Sequence, residues 1–333
     1  MDAIEIESPA RLHLGFIDPA GSAGRRYGSL GLTLDGLSTR LRMSRAATPK
    51  DAYLAASETA RPELLRVPAH LERLRRAFNF GEPVAVELLE AIPPHAGLGS
   101  GTQLALALGY ALSRLAGRML TVRQIAALTD RGARSGIGIG AFEQGGFIVD
   151  GGRGPATELP PVIARHPFPA AWRAILIFDA GFRGLHGEAE LEAFRRLPPF
   201  PAPQAGRLAQ LTLLAVLPGL AESDFGRFAA AISEIQAAVG DHFAPVQGGR
   251  FASPRVARWL EWFGRHGAVC RGQSSWGPTG FVITASSESA RSLLDGAKAV
   301  RCADDPVRFR IVGGRNAGAR ISEASLTAQT LNS

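Results

Sequence analysis

The sequence predicts an α+β protein built from two units, and three observations carry that expectation. Period-two alternation marks short strands at "AIEIES", "LHLGFID", "LGLTLDG", "PVAVELLEAI" and "GFVITAS". Apolar residues at helical spacing lie between them without the strict strand–helix alternation of a doubly wound sheet. A proline-rich stretch at 151–169 divides a chain of 333 residues, a length that suits two cores.

The elements follow in order. The N-terminal "MDAIEIESPARLHLGF" starts with acids and alternates, so it reads as strand and not as a signal peptide. "GSAGRRYGS" supplies a glycine turn between the second and third strands. Residues 62–79 read as a helix, and "PVAVELLEAI" as a strand running into Pro93 and Pro94. A helix over 102–116 comes next, then another in "TVRQIAALTDRGA" with Thr121 as its cap, then the strand "GGFIVDGGR". The second unit opens with "WRAILIFDAG", a buried strand ending at Asp179. Helices are expected at "GEAELEAFRRL", 205–219, 223–239, "SPRVARWLEWFGRHG" and "SESARSLLDGAKAV", and a closing strand pair in "VRFRIVGGRNAGARI". The expected division is 1–155 and 165–330.

Composition narrows the function. The formal charge is +7, yet only Lys50 and Lys298 are lysines, and the arginines are scattered with no basic tract interleaved with aromatics. That pattern argues against nucleic acid and suits small polyanionic substrates. No run approaches the ~18–20 apolar residues of a membrane span. Two cysteines, Cys270 and Cys302, give no disulfide framework, which fits a reducing, cytoplasmic setting.

The most informative stretch is "IPPHAGLGSGTQLALALG", residues 92–109. The two prolines end the strand, and Gly97, Gly99 and Gly101 let the backbone turn tightly. Ser100 and Thr102 are candidate N-caps of the helix that follows. A glycine loop at a helix N-terminus is an anion site, although similar loops also serve as plain connections. The run lacks the lysine of a Walker A loop and the spacing of a dinucleotide fingerprint.

"PPHAGLGSGTQLALALG" resembles the second motif of the GHMP superfamily, the small-molecule kinases of galactose, homoserine, mevalonate and phosphomevalonate. "SPARLHLGFID" resembles the first motif, and "GQSSWGPTGFVI" the third. The resemblance implies a ribosomal-protein-S5-like N-terminal domain and a ferredoxin-like C-terminal domain. "ARLHLGFID", "GRRYGSLGLTLD", "SGIGIGAFEQGGFIVDGG", "FRGLHGEAE" and "GQSSWGPTG" together are more specifically similar to the beta-ribofuranosylaminobenzene 5'-phosphate synthase branch. That similarity implies condensation of phosphoribosyl pyrophosphate with 4-aminobenzoate or 4-hydroxybenzoate, with release of CO2 and pyrophosphate, in tetrahydromethanopterin biosynthesis. It also suggests a homodimer. The alternative is an ATP-dependent kinase of a sugar or isoprenoid alcohol. Many such kinases carry an aspartate just after a Ser-Gly pair. Here Ser135-Gly136 is followed by Ile137, Gly138, Ile139 and Gly140, with no acid before Glu143.

That chemistry assigns candidate roles. Gly97, Gly99, Ser100, Gly101 and Thr102 would hold the pyrophosphate, and Ser274 and Ser275 the 5'-phosphate. Mg2+ would assist the leaving group, with Glu188 and Glu190, or Asp179, as ligands. His186, Glu188 and Asp179 are the candidate catalytic groups, though acids at a helix start also simply favour its dipole. Arg25 and Arg26, beside Tyr27, are the leading candidates to fork the benzoate carboxylate. Arg11 and His13 would line the same cleft, and Trp276 would stack on the ring, or else pack ordinarily.

Overall fold

The computed structural model describes residues 3–182, 192, 195–275 and 277–324, and they form two sheets with helices against each. The first sheet contains β1 (Ala3–Asp18), β2 (Tyr27–Arg45), β3 (Ala52–Ala55), β4 (Val84–Glu90), β5 (Phe147–Asp150), β6 (Val162–His166) and β11 (Arg320–Ala324). Its order is β11-β1-β2-β4-β3, with β5 beside β2 and β6 beside β5. "AIEIES" and "LHLGFID" are thus one long strand. Pro9 has no N–H to give the ladder, and the register shifts between Pro9 and Arg11 and again between His13 and Gly15. β6 and β11 lie in this first sheet, outside the first unit as the sequence divides it, so both ends of the chain meet there.

The second sheet is antiparallel, in the order β10 (Val307–Gly313), β7 (Arg173–Asp179), β9 (Gly280–Thr284), β8 (Cys270–Gln273). The mixed, non-alternating arrangement is the expected α+β class.

Helices differ from expectation where proline and glycine intervene. The segment 62–79 is two helices, α1 (Arg61–Leu64) and α2 (Val67–Phe78). Pro68 cannot donate to the carbonyl four residues back and its ring crowds it, so the run breaks there. α3 (Ser100–Leu115) starts two residues earlier than expected. α4 (Val122–Leu128) has the expected Thr121 cap, closed as a capping box with Gln124, but it stops five residues early. Thr129 turns its hydroxyl back onto the Ile125 carbonyl at 2.8 Å, and Asp130 and Gly132 take left-handed φ of 52° and 87°. α5 (Ile137–Glu143) forms inside the glycine-rich segment, where no helix is expected. α6 (Ala202–Leu211) continues through a π-helical turn at 212–216 into α7 (Leu217–Ala221). α8 (Phe225–Gln247) runs on past its expected end, and α9 (Pro254–Arg265) and α10 (Ser287–Val300) complete the second unit.

Packing explains how the site is held. Leu12, Leu14 and Phe16 of β1, Leu98 of the glycine loop, and Phe228, Ile232 and Ile235 of α8 share one core. A second core packs Leu71 and Leu74 of α2 and Leu104 and Leu108 of α3 on the first sheet. A third packs α9 and α10 on Ile175 and Ile177 of β7, whose neighbours Ala174 and Leu176 point into the first core. The second sheet is therefore buried on both faces, and the glycine loop is pinned where the two units join. Among the described residues no helix is long and apolar enough to cross a membrane.

Candidate active site

Three separated sequence segments close on the glycine loop. Gly97 and Gly99 have φ of +78° and +88°, which L-residues resist. A Cβ at Gly97 would lie 2.4 Å from the Ser274 carbonyl oxygen and 2.7 Å from Gly277 Cα. The Gly97 carbonyl accepts from the Arg11 guanidinium and from the Ser274 hydroxyl, the latter at 2.8 Å. Ser274 Oγ in turn accepts from the His13 N–H at 2.9 Å, and the Ser275 N–H donates to the His13 carbonyl at 3.1 Å. Ser274 thus ties β1 to the loop, and its hydroxyl is engaged there.

The helix start also differs from expectation. Gly99 is the N-cap of α3, while Ser100 and Thr102 lie inside the first turn with no side-chain cap. The Thr102 and Gln103 amides both donate to the Gly99 carbonyl at 3.0 Å. The amides of Ser100 and Gly101 have no intrahelical acceptor, and the first turn carries no acidic side chain. The sixteen-residue helix therefore presents two amides with no acceptor among the described residues, and its positive end, at this point.

Guanidinium groups surround that end. A Cβ at Gly101 would lie 2.8 Å from Arg66 Nη2, and one at Gly99 would lie 3.4 Å from Arg11 Cζ. Arg66 is held by the buried Glu63 at 3.0 Å. Arg131 stands near it: burial, then Arg66 and Arg73, depress the pKa of its guanidinium. Burial and the charges of Arg131, Arg66 and Arg73 hold His70 down at about 4. Arg134 and Arg11 both bear on His13. The segment carrying Arg131 and Arg134 is fixed by Asp150, buried and pushed up in pKa by that burial. Its carboxylate accepts from the Gly136 and Gly152 amides at 2.9 Å, and from the Ser135 and Ser29 hydroxyls. Glu63 pairs with Arg66 and Asp130 with Arg73, and both carboxylates bear on Arg131, so protein carboxylates offset part of this positive charge and the rest favours an anion. Sequence reasoning missed Arg66, Arg131 and Arg134. The one local signal was "DRGARSG", two arginines in a glycine turn directly after a capped helix.

Two residues after Arg11, His13 begins a row of rings. His13 and Phe16 have centroids 4.7 Å apart, and Phe16 and Tyr27 5.6 Å apart. The Arg26 guanidinium carbon lies 5.7 Å from the Tyr27 ring centre and makes no ion pair among the described residues. Arg25 differs. Its guanidinium donates to the Gly151 and Gly152 carbonyls at 2.7 and 2.8 Å, clamping the β1–β2 hairpin to the strand end of β5. The structure thus separates two adjacent arginines that the sequence could not.

The remaining candidates are distributed as follows. Asp179 is buried. Its carboxylate accepts from the Ser253 hydroxyl at 2.7 Å and the Gly181 amide at 3.0 Å, and faces Arg255 at 3.6 Å. It borders a cavity of about 590 Å³ that also includes Arg66, Pro93, Pro94, Phe178 and Phe182. His186, Glu188, Glu190 and Trp276 lie outside the described residues. Among the described residues no three His, Cys, Asp or Glu side chains gather as a metal site. At Gly138, one of the four positions after Ser135-Gly136 that carry no acid, a Cβ would meet Thr102 Cγ2 at 2.9 Å, and the carbonyl accepts from Gln103 Nε2 at 2.8 Å. That position is filled by packing against the front of α3.

Comparison with known proteins gives the chain's family and fold. The chain matches the GHMP kinases N terminal domain over residues 66–146 and the GHMP kinases C terminal domain over 216–300. It is 31% identical over 329 residues to a beta-ribofuranosylphenol 5'-phosphate synthase of Methanothermobacter thermautotrophicus, covering 94% of this chain and 97% of that one. A protein of the same name from Archaeoglobus fulgidus is 31% identical over 339 residues, covering 96% and 99%. Among solved structures, mevalonate diphosphate decarboxylase from Staphylococcus aureus superposes with a TM-score of 0.67 at 14% identity, covering 97% and 98%. Homoserine kinase from Cytophaga hutchinsonii does so with a TM-score of 0.61 at 16% identity, covering 97% and 98%. These two likenesses concern the fold.

Proposed function

The chain belongs to the beta-ribofuranosylphenol 5'-phosphate synthase family, and from that premise we propose that it condenses phosphoribosyl pyrophosphate with a 4-substituted benzoate, releasing CO2 and pyrophosphate, as a step of tetrahydromethanopterin biosynthesis. The relatives' names carry a phenol, and 4-hydroxybenzoate is the acid whose loss of CO2 leaves one. 4-Aminobenzoate is the competing acceptor.

One observation carries the reading: the order of contacts along the site. Arg66 and the α3 amides come first, then Arg11, His13, Phe16, Tyr27 and finally Arg26. The reaction needs the same order, with leaving group, pentose, aromatic ring and carboxylate in line. As the C1–O bond of the pentose breaks, its electron pair goes to the departing pyrophosphate. The helix end and the arginines stabilise that charge. The sugar carbon becomes cation-like, so water must be kept away. The para oxygen of the acceptor pushes electrons onto the ring carbon bearing the carboxylate, which bonds to C1. Loss of CO2 then restores aromaticity. Since CO2 and not a proton leaves the ring, no base is needed there, and no alcohol is deprotonated. The packed Gly138 fits that economy of groups.

Mg2+ would accompany the diphosphate and offset charge on the leaving group, and this ion prefers phosphate oxygens and water as ligands. Asp179 is a poor ligand because Ser253, Gly181 and Arg255 already engage its oxygens. Glu188 and Glu190 are the better candidates.

The test is incubation of the protein with phosphoribosyl pyrophosphate, Mg2+ and carboxyl-labelled 4-hydroxybenzoate without nucleotide. Labelled CO2 and pyrophosphate should appear in equal amounts. ADP formation with an alcohol acceptor and ATP, and no CO2, would replace this reading with the kinase one.

A further inference from the structure

His13 is 3% exposed, and neither of its ring nitrogens has a hydrogen-bond partner among the described residues. Leaving two such atoms dry is costly unless something else meets them. The neighbours do not. The imidazole borders a narrow cavity with Phe16, Phe243, Gln236, Gln247 and Gln273. Gln236 donates to the Leu14 carbonyl at 2.7 Å and accepts from the Gln273 amide at 2.8 Å. Gln273 accepts from the Ala252 amide and donates to the Ser275 carbonyl, and Gln247 donates to the Arg250 carbonyl. These three amides are engaged with backbone.

Burial favours the neutral form of the ring. With burial first, then the cations Arg11 on its own strand and Arg134 from the segment before α5, its pKa is held down to about 3, against a contact with its own backbone that raises it. A neutral imidazole offers one N–H and one lone pair. Arginine-bound phosphate can take the N–H, but it has no donor for the lone pair. A hydroxyl has. Arg11, two residues before His13, lies against Gly99 at the anion-binding end, and Phe16 packs on His13, so on the proposed reading the ligand group expected at His13 is the sugar.

We propose that His13 binds a ring hydroxyl of the pentose as a neutral imidazole, its lone pair accepting the hydroxyl proton, and so selects ribose over deoxyribose donors. This rests on the phosphoribosyl pyrophosphate reading, and binding alone tests it without turnover. By calorimetric titration in the absence of aromatic acid, wild type should bind phosphoribosyl pyrophosphate about tenfold more tightly than its 2-deoxy or its 3-deoxy analogue. His13→Phe, which keeps the contact with Phe16, should bind all three alike. His13→Gln, with a donor and an acceptor, should restore part of the preference, and circular dichroism should show both variants folded. The inference falls if wild type does not discriminate or does not bind phosphoribosyl pyrophosphate, or if His13→Phe discriminates as wild type does. It also falls if that variant loses instead the preference for 4-hydroxybenzoate over benzoate. Discrimination without CO2 release would leave His13 as assigned and remove the synthase reaction.

Discussion

Replacing Gly101 by alanine should separate anion binding from stability. The new Cβ would stand 2.8 Å from Arg66 Nη2, so the guanidinium must retreat by about 0.6 Å to reach ordinary contact at 3.4 Å. The obstacle is the end of a flexible side chain, and the fold yields easily. Alanine is also the better helix former by about 0.5–1 kcal/mol. The melting temperature should therefore hold or rise slightly. Moving Arg66 off the front of α3 weakens one charge-assisted bond to the diphosphate. Part of its full worth, about 1–2 kcal/mol, corresponds to roughly a five- to thirtyfold rise in KM for phosphoribosyl pyrophosphate. KM for 4-hydroxybenzoate should stay within twofold or so, because its proposed site begins beyond His13. A double-mutant cycle with Arg66→Lys, which keeps a charge beside Glu63, isolates the cause. In that background Gly101→Ala should add less than about 0.5 kcal/mol. A full effect in the Arg66→Lys background, or an equal rise in both KM values, would refute the reasoning.

Other consequences follow from the same geometry. Arg25→Ala removes two bonds to carbonyls and should cost about 1–2 kcal/mol of stability with little change in KM. Arg26→Ala should leave denaturation unchanged and raise KM for the aromatic acid about tenfold or more; the reverse allocation would mean the two arginines are misassigned. Gly138→Asp should cost about 1–3 kcal/mol through overlap with Thr102, and it places a negative charge at the helix front. Both the melting temperature and phosphoribosyl pyrophosphate affinity should fall, whereas Gly138→Ala should show mainly the first. His13 and His70 are depressed from 6.5 to about 3 and about 4. Below pH 6.5 the unfolded chain binds protons that the folded one refuses, so stability is full above that pH and declines towards pH 4. Urea midpoints measured from pH 7.5 to 5 should show the slope, and His70→Gln should reduce it; a flat profile in wild type would contradict the burial of these rings.

What could be read from the sequence was what is decided locally. Alternation located the strands, the Thr121–Gln124 capping box was visible at its spacing, and the prolines and glycines before α3 announced a loop at a helix start. The cap itself was misplaced, because Ser100 and Thr102 are good N-caps by type. Gly99 holds the left-handed turn in their stead, with the loop fixed from outside by Arg11 and Ser274. Arg66 and Arg131 become neighbours, and Arg134 comes to bear on His13, only after α2 and the α4–α5 segment pack around α3, and no spacing encodes that. Arg25 and Arg26 are identical by type and adjacent in sequence. Only the bridge between Arg26 and Arg153 after β5, with the Arg25 guanidinium reaching the Gly151 and Gly152 carbonyls, tells them apart. The return of β11 to β1 was hidden for a similar reason: a strand's pattern shows which face is buried and not which strand it will join.

The most direct measurement is a crystal of the protein soaked with phosphoribosyl pyrophosphate, read for the position of the diphosphate. The account predicts its phosphorus atoms against the Ser100 and Gly101 amides, within reach of Arg66 and Arg11, and the pentose beside His13. A diphosphate seated elsewhere, or a sugar turned away from β1 towards β10, would contradict it.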